Sequence, residues 1–129
     1  MHDPTSPQSW FDKGDNDLAT AKIVFSQSPS IRDTVCFHCQ QAVEKYLKGY
    51  LVYLGISFRL THDLGYLVDL IEKREPVPLT FLNLADRLED YGVFGRYPKL
   101  MSFHDDQTIE AILLQIDGLR QHFYSKIFP

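Results

Sequence analysis

Residues 36–54 of the chain read CFHCQQAVEKYLKGYLVYL. Apolar side chains recur here at the three- and four-residue spacing of a helix, and the series starts one residue earlier, at Val35. Gly55 follows the stretch, and glycine suits the end of a helix because it tolerates a left-handed backbone. The pattern predicts a long helix that is apolar around much of its circumference.

Two further amphipathic segments lie at the ends of the chain. Apolar residues between positions 10 and 25 predict a first helix, with Ser9 as its cap and Ser28-Pro29 as its stop. Residues 109–127 follow the i, i+3, i+4, i+7 rule over about five turns. Asp105 or Asp106 is available as the cap of this last helix.

Two shorter helices are predicted between these segments. Residues 64–71 carry helical periodicity after Thr61 or Asp63, either of which serves as a cap. Residues 81–88 carry a fourth helix that ends by Pro98, because the residue before a proline disfavours helical angles. The stretch from Gly92 to His104 is predicted to be a partly irregular connection.

These segments together predict the fold class. No segment alternates apolar and polar residues at the period of a strand. We therefore predict an all-α fold, a single-domain antiparallel bundle of four main helices plus a short helix, over residues 9–129. Residues 1–8 are predicted to be a flexible lead-in.

Composition narrows the classes of function. The chain has 129 residues, a formal net charge of −4 and a pI near 5.6, which argues against a protein that coats nucleic acid through clustered cations. It has no run of eighteen apolar residues, and its first residues lack the basic start and apolar run of a signal peptide. A cytoplasmic protein with no membrane contact is expected.

The first candidate site is a polar row on the long helix. His38, Gln41, Lys45 and Lys48 are separated by three, four and three residues, which places them on one helix face. Two cations and an amide on one face suit a phosphate or nucleotide surface. The alternative is a solvated face in which Glu44 and Lys48 form an i, i+4 ion pair.

The second candidate site is the segment RLTHDL at residues 59–64. It places Arg59 and His62 just before or within the first turn of a helix, where free backbone N–H groups favour an anion such as phosphate. The alternative is structural: Thr61 caps the helix, Asp63 is a favourable first-turn acid, and His62 packs at the edge of a loop.

The third candidate is the turn formed by Arg96, Tyr97 and Pro98, which follows a glycine-punctuated segment. From there Arg96 would reach across the bundle and bind phosphate in a bidentate manner. The alternative is a salt bridge from Arg96 to a carboxylate such as Glu89.

Two other groupings were weighed. Arg32 and His38 would serve a metal-independent ribonuclease, with Arg32 stabilising the phosphate and His38 acting as general base. Cys36, His38 and Cys39 offer soft ligands, but positions 36 and 38 point apart on a helix and no second cysteine pair completes a zinc site. We therefore expect no metal and no cofactor, and no motif of a self-sufficient enzyme is present.

The three fragments resemble the HEPN family, the higher eukaryote and prokaryote nucleotide-binding domain. Its members carry a His-x-x-Gln-Gln-Ala-x-Glu-Lys-x-Leu-Lys-like helix, an Arg-x-x-His-Asp-Leu segment and an Arg-Tyr-Pro turn, and all three occur here in that order over about residues 9–127. In the helix motif this chain departs slightly, because Cys39 alone separates the histidine from Gln40-Gln41.

The resemblance implies a four-to-five-helix bundle that is commonly dimeric and often encoded beside, or fused to, a minimal nucleotidyltransferase. Some members act as toxin-like or defence ribonucleases, through an Arg-x4-6-His motif towards the later helices. Here the only matching spacing runs from Arg32 to His38, early on the second helix. The resemblance thus favours a binding role over cleavage.

The expected function is a nucleotide- or substrate-binding subunit that acts with a nucleotidyltransferase, with a toxin–antitoxin or defence system as its expected setting. It would form a homodimer, and RNA is a further candidate ligand. The alternatives are the ribonuclease and a purely structural dimerisation module. The predicted nucleotide-binding residues are Gln41, Lys45, Lys48, Arg59, His62, Asp63, Arg96 and Tyr97.

Overall fold

The computed structural model describes residues 2–28, 30–89 and 105–129, and every regular element in these ranges is a helix. The five helices are α1 (Pro7–Gln27), α2 (Arg32–Leu54), α3 (Leu64–Glu72), α4 (Leu79–Glu89) and α5 (Asp106–Ile127). The all-α prediction is confirmed. The predicted end of the fourth helix, by Pro98, lies outside the described residues.

The helix starts follow from capping side chains, and one prediction about them is wrong. α1 is capped by Ser6, whose side chain accepts a hydrogen bond from the Ser9 backbone N–H, and Pro7 occupies the first turn. The predicted cap at Ser9 is therefore wrong, because the favourable Ser-Pro start lies one turn earlier. Pro7 and Gln8, which were predicted to precede the helix, belong to it.

The other ends agree with the sequence pattern. Asp63, rather than Thr61, caps α3, and Asp105, rather than Asp106, caps α5. α2 ends at Gly55, whose φ of 73° is left-handed and is tolerated by glycine because it has no Cβ.

The long helix α2 lies at the centre of the bundle. α1 runs antiparallel to α2, because Asp17 contacts His38 and Lys45 while Asp15 contacts Tyr46 further along α2. α5 runs parallel to α2 and contacts both α2 and α1. Apolar side chains from all five helices form one core, whose largest buried members include Tyr46, Tyr50, Phe11 and Phe123.

A polar cluster joins three helices inside this packing. Tyr46 of α2 donates a hydrogen bond to Asp15 Oδ1 of α1 at 2.7 Å, and Arg120 of α5 donates two more to the same carboxylate. Burial, followed by the hydrogen bond to Asp15, raises the pKa of the Tyr46 hydroxyl well above its usual range. Tyr46 therefore stays neutral and acts as a donor at every physiological pH.

None of the described helices is long and apolar enough to cross a bilayer.

Candidate functional site

The polar row predicted on α2 lies against α1. Lys45 Nζ donates to Asp17 Oδ2 at 3.1 Å and to Gln41 Oε1 at 3.3 Å, while His38 Nδ1 lies 3.0 Å from Asp17 Oδ1. All these side chains remain partly accessible. Asp17 therefore holds His38 and Lys45 along one crease between the two helices, Gln41 joins them through Lys45, and Asp17 neutralises part of the Lys45 charge.

Glu44 and Lys48 form the i, i+4 ion pair that the alternative reading predicted, at 3.0 Å, but the solvated face is wrong for both. Their side chains are only 2% and 8% exposed. Lys48 Nζ also lies 5.7 Å from the centre of the Trp10 ring and 5.9 Å from that of Phe58. Lys48 is therefore enclosed by the start of α1 and the loop after α2, and its charge is directed at Glu44.

The same glutamate binds the second predicted fragment. His62 Nδ1 lies 2.8 Å from Glu44 Oε1, and Gln40 Nε2 donates to the His62 backbone carbonyl at 3.1 Å. Gln40 is fully buried, and it accepts in turn from Gln41 Nε2 at 2.6 Å. One continuous set of hydrogen bonds therefore joins the crease residues Gln41 and Lys45 to the loop that carries His62.

The orientation of the His62 ring follows from this contact. A carboxylate oxygen only accepts, so Nδ1 carries the hydrogen and Nε2 is the nitrogen left for other partners. The His62 side chain is 64% exposed although Glu44 is buried. The ring therefore projects into solvent from a position that the buried Glu44 fixes.

Arg59, in the middle of the same loop, lies over an aromatic ring. Its guanidinium carbon is 3.8 Å from the centre of the Tyr66 ring, and its backbone N–H donates to the Tyr66 hydroxyl at 3.2 Å. Arg59 is exposed and Tyr66 is half-buried on α3. The guanidinium therefore lies over the Tyr66 ring within cation–π distance.

The start of α3 is occupied by carboxylates of the chain itself. Asp63 Oδ1 accepts from Tyr66 N at 3.0 Å, and the Glu89 carboxylate accepts from Leu64 N at 3.2 Å and from Gly65 N at 2.9 Å. Burial raises the pKa of Glu89, and the nearby Asp63 carboxylate raises it further. The backbone donors that were predicted to hold phosphate here already have anionic partners.

Arg32 and His38, the pair weighed for a ribonuclease, contact carboxylates on different helices. Arg32 Nη2 donates to Asp106 at the start of α5, whereas His38 contacts Asp17 of α1. Six residues of helix separate them by about 9 Å along the axis and by about a third of a turn. The structure does not bring these two side chains together on one surface.

Two predicted residues, Arg96 and Tyr97, lie outside the described residues. Of the other six predicted residues, four lie on one accessible surface: Gln41 and Lys45 on α2, and Arg59 and His62 on the loop that Gln40 and Glu44 hold against α2. Lys48 is buried and paired with Glu44, whereas Asp63 is exposed and its carboxylate accepts from the backbone of α3.

The two cysteines are buried in α2, and no group of three potential metal ligands occurs within residues 2–28, 30–89 and 105–129. Burial raises the pKa of Cys36 to about 11 from 9.0 and raises that of Cys39 further.

The raised pKa makes both cysteines poor nucleophiles, because Cys36 then carries about 100-fold less thiolate at pH 8 than an exposed cysteine has. We expect alkylation by iodoacetamide at pH 8 to be at least that much slower in native protein than in urea, as followed by mass spectrometry; equal rates would contradict the burial of α2.

Sequence reasoning missed the side chains that organise the site. Asp17, Gln40, Tyr66 and Glu89 were not chosen, although each makes a contact described above. Gln40 and Glu44 follow one another at i, i+4 beside the chosen row, a spacing that signals a second polar stripe. No local signal pointed to Asp17 or Tyr66. The partners of Asp17 lie 21 or more positions away along the chain, and Arg59, the partner of Tyr66, lies seven positions away.

Comparison with known proteins identifies relatives of this bundle. A family model described as the HEPN domain matches residues 7–121. A solved structure of an archaeal HEPN homologue is 22% identical, with 95% of this chain and 98% of that chain covered and a TM-score of 0.74. A solved protein from Thermus thermophilus is 21% identical, with coverage of 93% and 97% and a TM-score of 0.77. A search of curated proteins gives no match.

Proposed function

The chain belongs to the HEPN domain family, and we propose that it is a nucleotide-binding subunit that acts with a minimal nucleotidyltransferase. The proposal rests on the observation that residues from two separate sequence fragments lie together on one surface. Glu44 and Gln40 hold the loop at His62 against the helix face that carries Gln41 and Lys45. Arg96 and Tyr97 of the third fragment remain proposed ligand contacts on the sequence alone.

The accessible groups of this surface suit a nucleotide. Lys45 supplies an ammonium that Asp17 positions at 3.1 Å, and Arg59 supplies an exposed guanidinium. Gln41 supplies an amide for a base or ribose hydroxyl, and His62 presents Nε2. Because the chain is acidic overall, with a net charge of −4, recognition would depend on this local group and not on a general attraction to phosphate.

Lys48 and Asp63 have supporting roles in this proposal. Lys48 neutralises Glu44, which in turn orients His62. Asp63 caps α3 and so fixes the end of the loop. Both were predicted as ligand contacts, and we now assign them to positioning of the ligand contacts.

A partner would supply the chemistry of transfer. The sequence carries no motif of a self-sufficient nucleotidyltransferase, and family resemblance supports a minimal nucleotidyltransferase encoded beside it, in a toxin–antitoxin or defence setting. A homodimer would leave two such surfaces. Two exposed apolar residues are candidates for the dimer interface: Ile23 of α1 and Leu114 of α5, which are 62% and 71% exposed.

Thermal unfolding with and without ligand tests the proposal. At ten times its Kd, a ligand that binds only the native state stabilises it by about 1.4 kcal/mol, or about 5 °C for a chain of this size. We expect ATP, GTP or a short RNA to give such a shift in the wild type, and a Lys45→Ala, Arg59→Ala variant to lose it.

Lys22→Ala is the matched control, because Lys22 is also paired with an aspartate, Asp117, at 2.9 Å but lies outside the crease. It should keep the full shift. The same measurement is repeated with the neighbouring nucleotidyltransferase added. No shift with any ligand, in either the presence or the absence of that partner, would contradict the proposal and leave a structural dimerisation module.

A further inference from the structure

The Arg59–Tyr66 pair differs from a second arginine–tyrosine pair among the described residues, Arg120 and Tyr124. Arg120 also lies over a ring, 4.5 Å from the centre of Tyr124, but its guanidinium donates two hydrogen bonds to Asp15 and its side chain is partly buried. Arg59 is closer to its ring, at 3.8 Å, and is exposed, and it has no carboxylate partner among the described residues. Arg120 links α5 to α1 through Asp15, whereas Arg59 presents its guanidinium at the surface.

The loop that carries Arg59 is held in place before any ligand arrives. Its middle is fixed by the bond from the Arg59 backbone N–H to the Tyr66 hydroxyl. Its last part is fixed by Gln40 and Glu44 at His62, and by the Thr61 hydroxyl, which accepts from Asp63 N at 3.0 Å. A ligand that stacks on Arg59 therefore loses little binding free energy to ordering of the loop.

A guanidinium that lies on an aromatic ring offers its opposite face to a second flat group. Nucleobases stack on arginine planes as they do on aromatic rings, and each such contact tolerates any base because every base has a π-face. We propose that Arg59, supported by Tyr66, is the stacking platform for one unpaired nucleobase. This inference rests on the proposed function and names which part of the nucleotide is recognised: the base, on Arg59, with the phosphate left to the Lys45 ammonium.

The source of the base is either a free nucleotide or a single-stranded nucleic acid, and both present the same flat ring. Titration calorimetry with four probes separates them: AMP, ribose 5-phosphate, a six-nucleotide RNA, and an abasic oligonucleotide of the same length. The first and third carry bases, whereas the second and fourth carry only sugar and phosphate.

We expect a base-bearing probe to bind wild type about tenfold more tightly than its base-free partner, in keeping with the range for one stacked base. Arg59→Lys keeps the charge but loses the plane, so it should abolish that tenfold preference and leave the affinity for ribose 5-phosphate nearly unchanged. Tyr66→Leu, which removes the support, should reduce the preference as well. Circular dichroism verifies that each variant is folded.

Arg74→Lys is the control, since Arg74 is an exposed arginine at the far end of α3 whose side chain donates to the Leu54 carbonyl at 3.4 Å. It should keep the full preference. A preference for AMP would identify a free nucleotide, and one seen only with the RNA would identify a strand; either supports the platform.

Equal binding of base-bearing and base-free probes would overturn the platform while leaving a phosphate-binding function intact. A preference that survives Arg59→Lys would also overturn it. Absence of binding by all four probes would also overturn the platform, whereas the thermal-unfolding test with ATP, GTP and the partner decides the proposed function separately.

Discussion

Replacement of Glu44 by glutamine should lower the free energy of unfolding by about 3 kcal/mol, because it leaves the Lys48 ammonium without a counter-ion inside the bundle. The Glu44 and Lys48 side chains are 2% and 8% exposed, so water cannot compensate for the lost charge. The same change also replaces the charged acceptor that holds His62 by a neutral amide oxygen, which accepts a weaker hydrogen bond. Urea unfolding followed by circular dichroism measures the effect.

The double variant Glu44→Gln, Lys48→Met isolates the cause. With both charges removed, no unpaired ion is buried, and stability should return to within about 1 kcal/mol of the wild type. Asp117→Asn is the matched control, since the Lys22–Asp117 pair has side chains that are 46% and 44% exposed; it should cost less than about 1 kcal/mol. A double variant as unstable as Glu44→Gln alone would show that the buried pair is not the reason.

Replacement of Gly14 by alanine should destabilise the protein by about 1–3 kcal/mol, although alanine is the better helix former. A Cβ at Gly14 would lie 2.6 Å from Tyr46 Cε1 and 2.8 Å from Tyr46 Cδ1. The Tyr46 ring is fully buried and its hydroxyl is bound to Asp15, so it cannot move aside without loss of packing or of that hydrogen bond.

Gly118→Ala on α5 provides the opposite case. Among the described residues, its added Cβ would meet only Phe81 Cε1, at 3.9 Å, and the position is exposed. Helix propensity should then dominate and raise stability by about 0.5–1 kcal/mol. Thermal unfolding of both variants under one set of conditions tests the contrast; a gain at Gly14 equal to that at Gly118 would contradict the close approach of α1 and α2.

The candidate site was predictable in part. The row on α2 and the segment at residues 59–64 stand out locally, because cations at helical spacing and a His-Asp start of a helix are patterns of a few residues. What the row faces was not predictable: Lys48 was expected at the surface and is enclosed by Trp10 and Phe58. Likewise, the open helix start at Leu64 is filled by Glu89, which lies 25 positions away.

The sequence by itself determined the class of fold, the family and the positions of the five described helices, since helical periodicity and caps are properties of neighbouring residues. Only the tertiary structure decided which polar side chains meet. Asp17 with Lys45, Glu44 with His62 and Arg59 with Tyr66 are brought together by the packing of apolar faces. That packing fixes distances between residues far apart in the chain, and no local pattern encodes those distances.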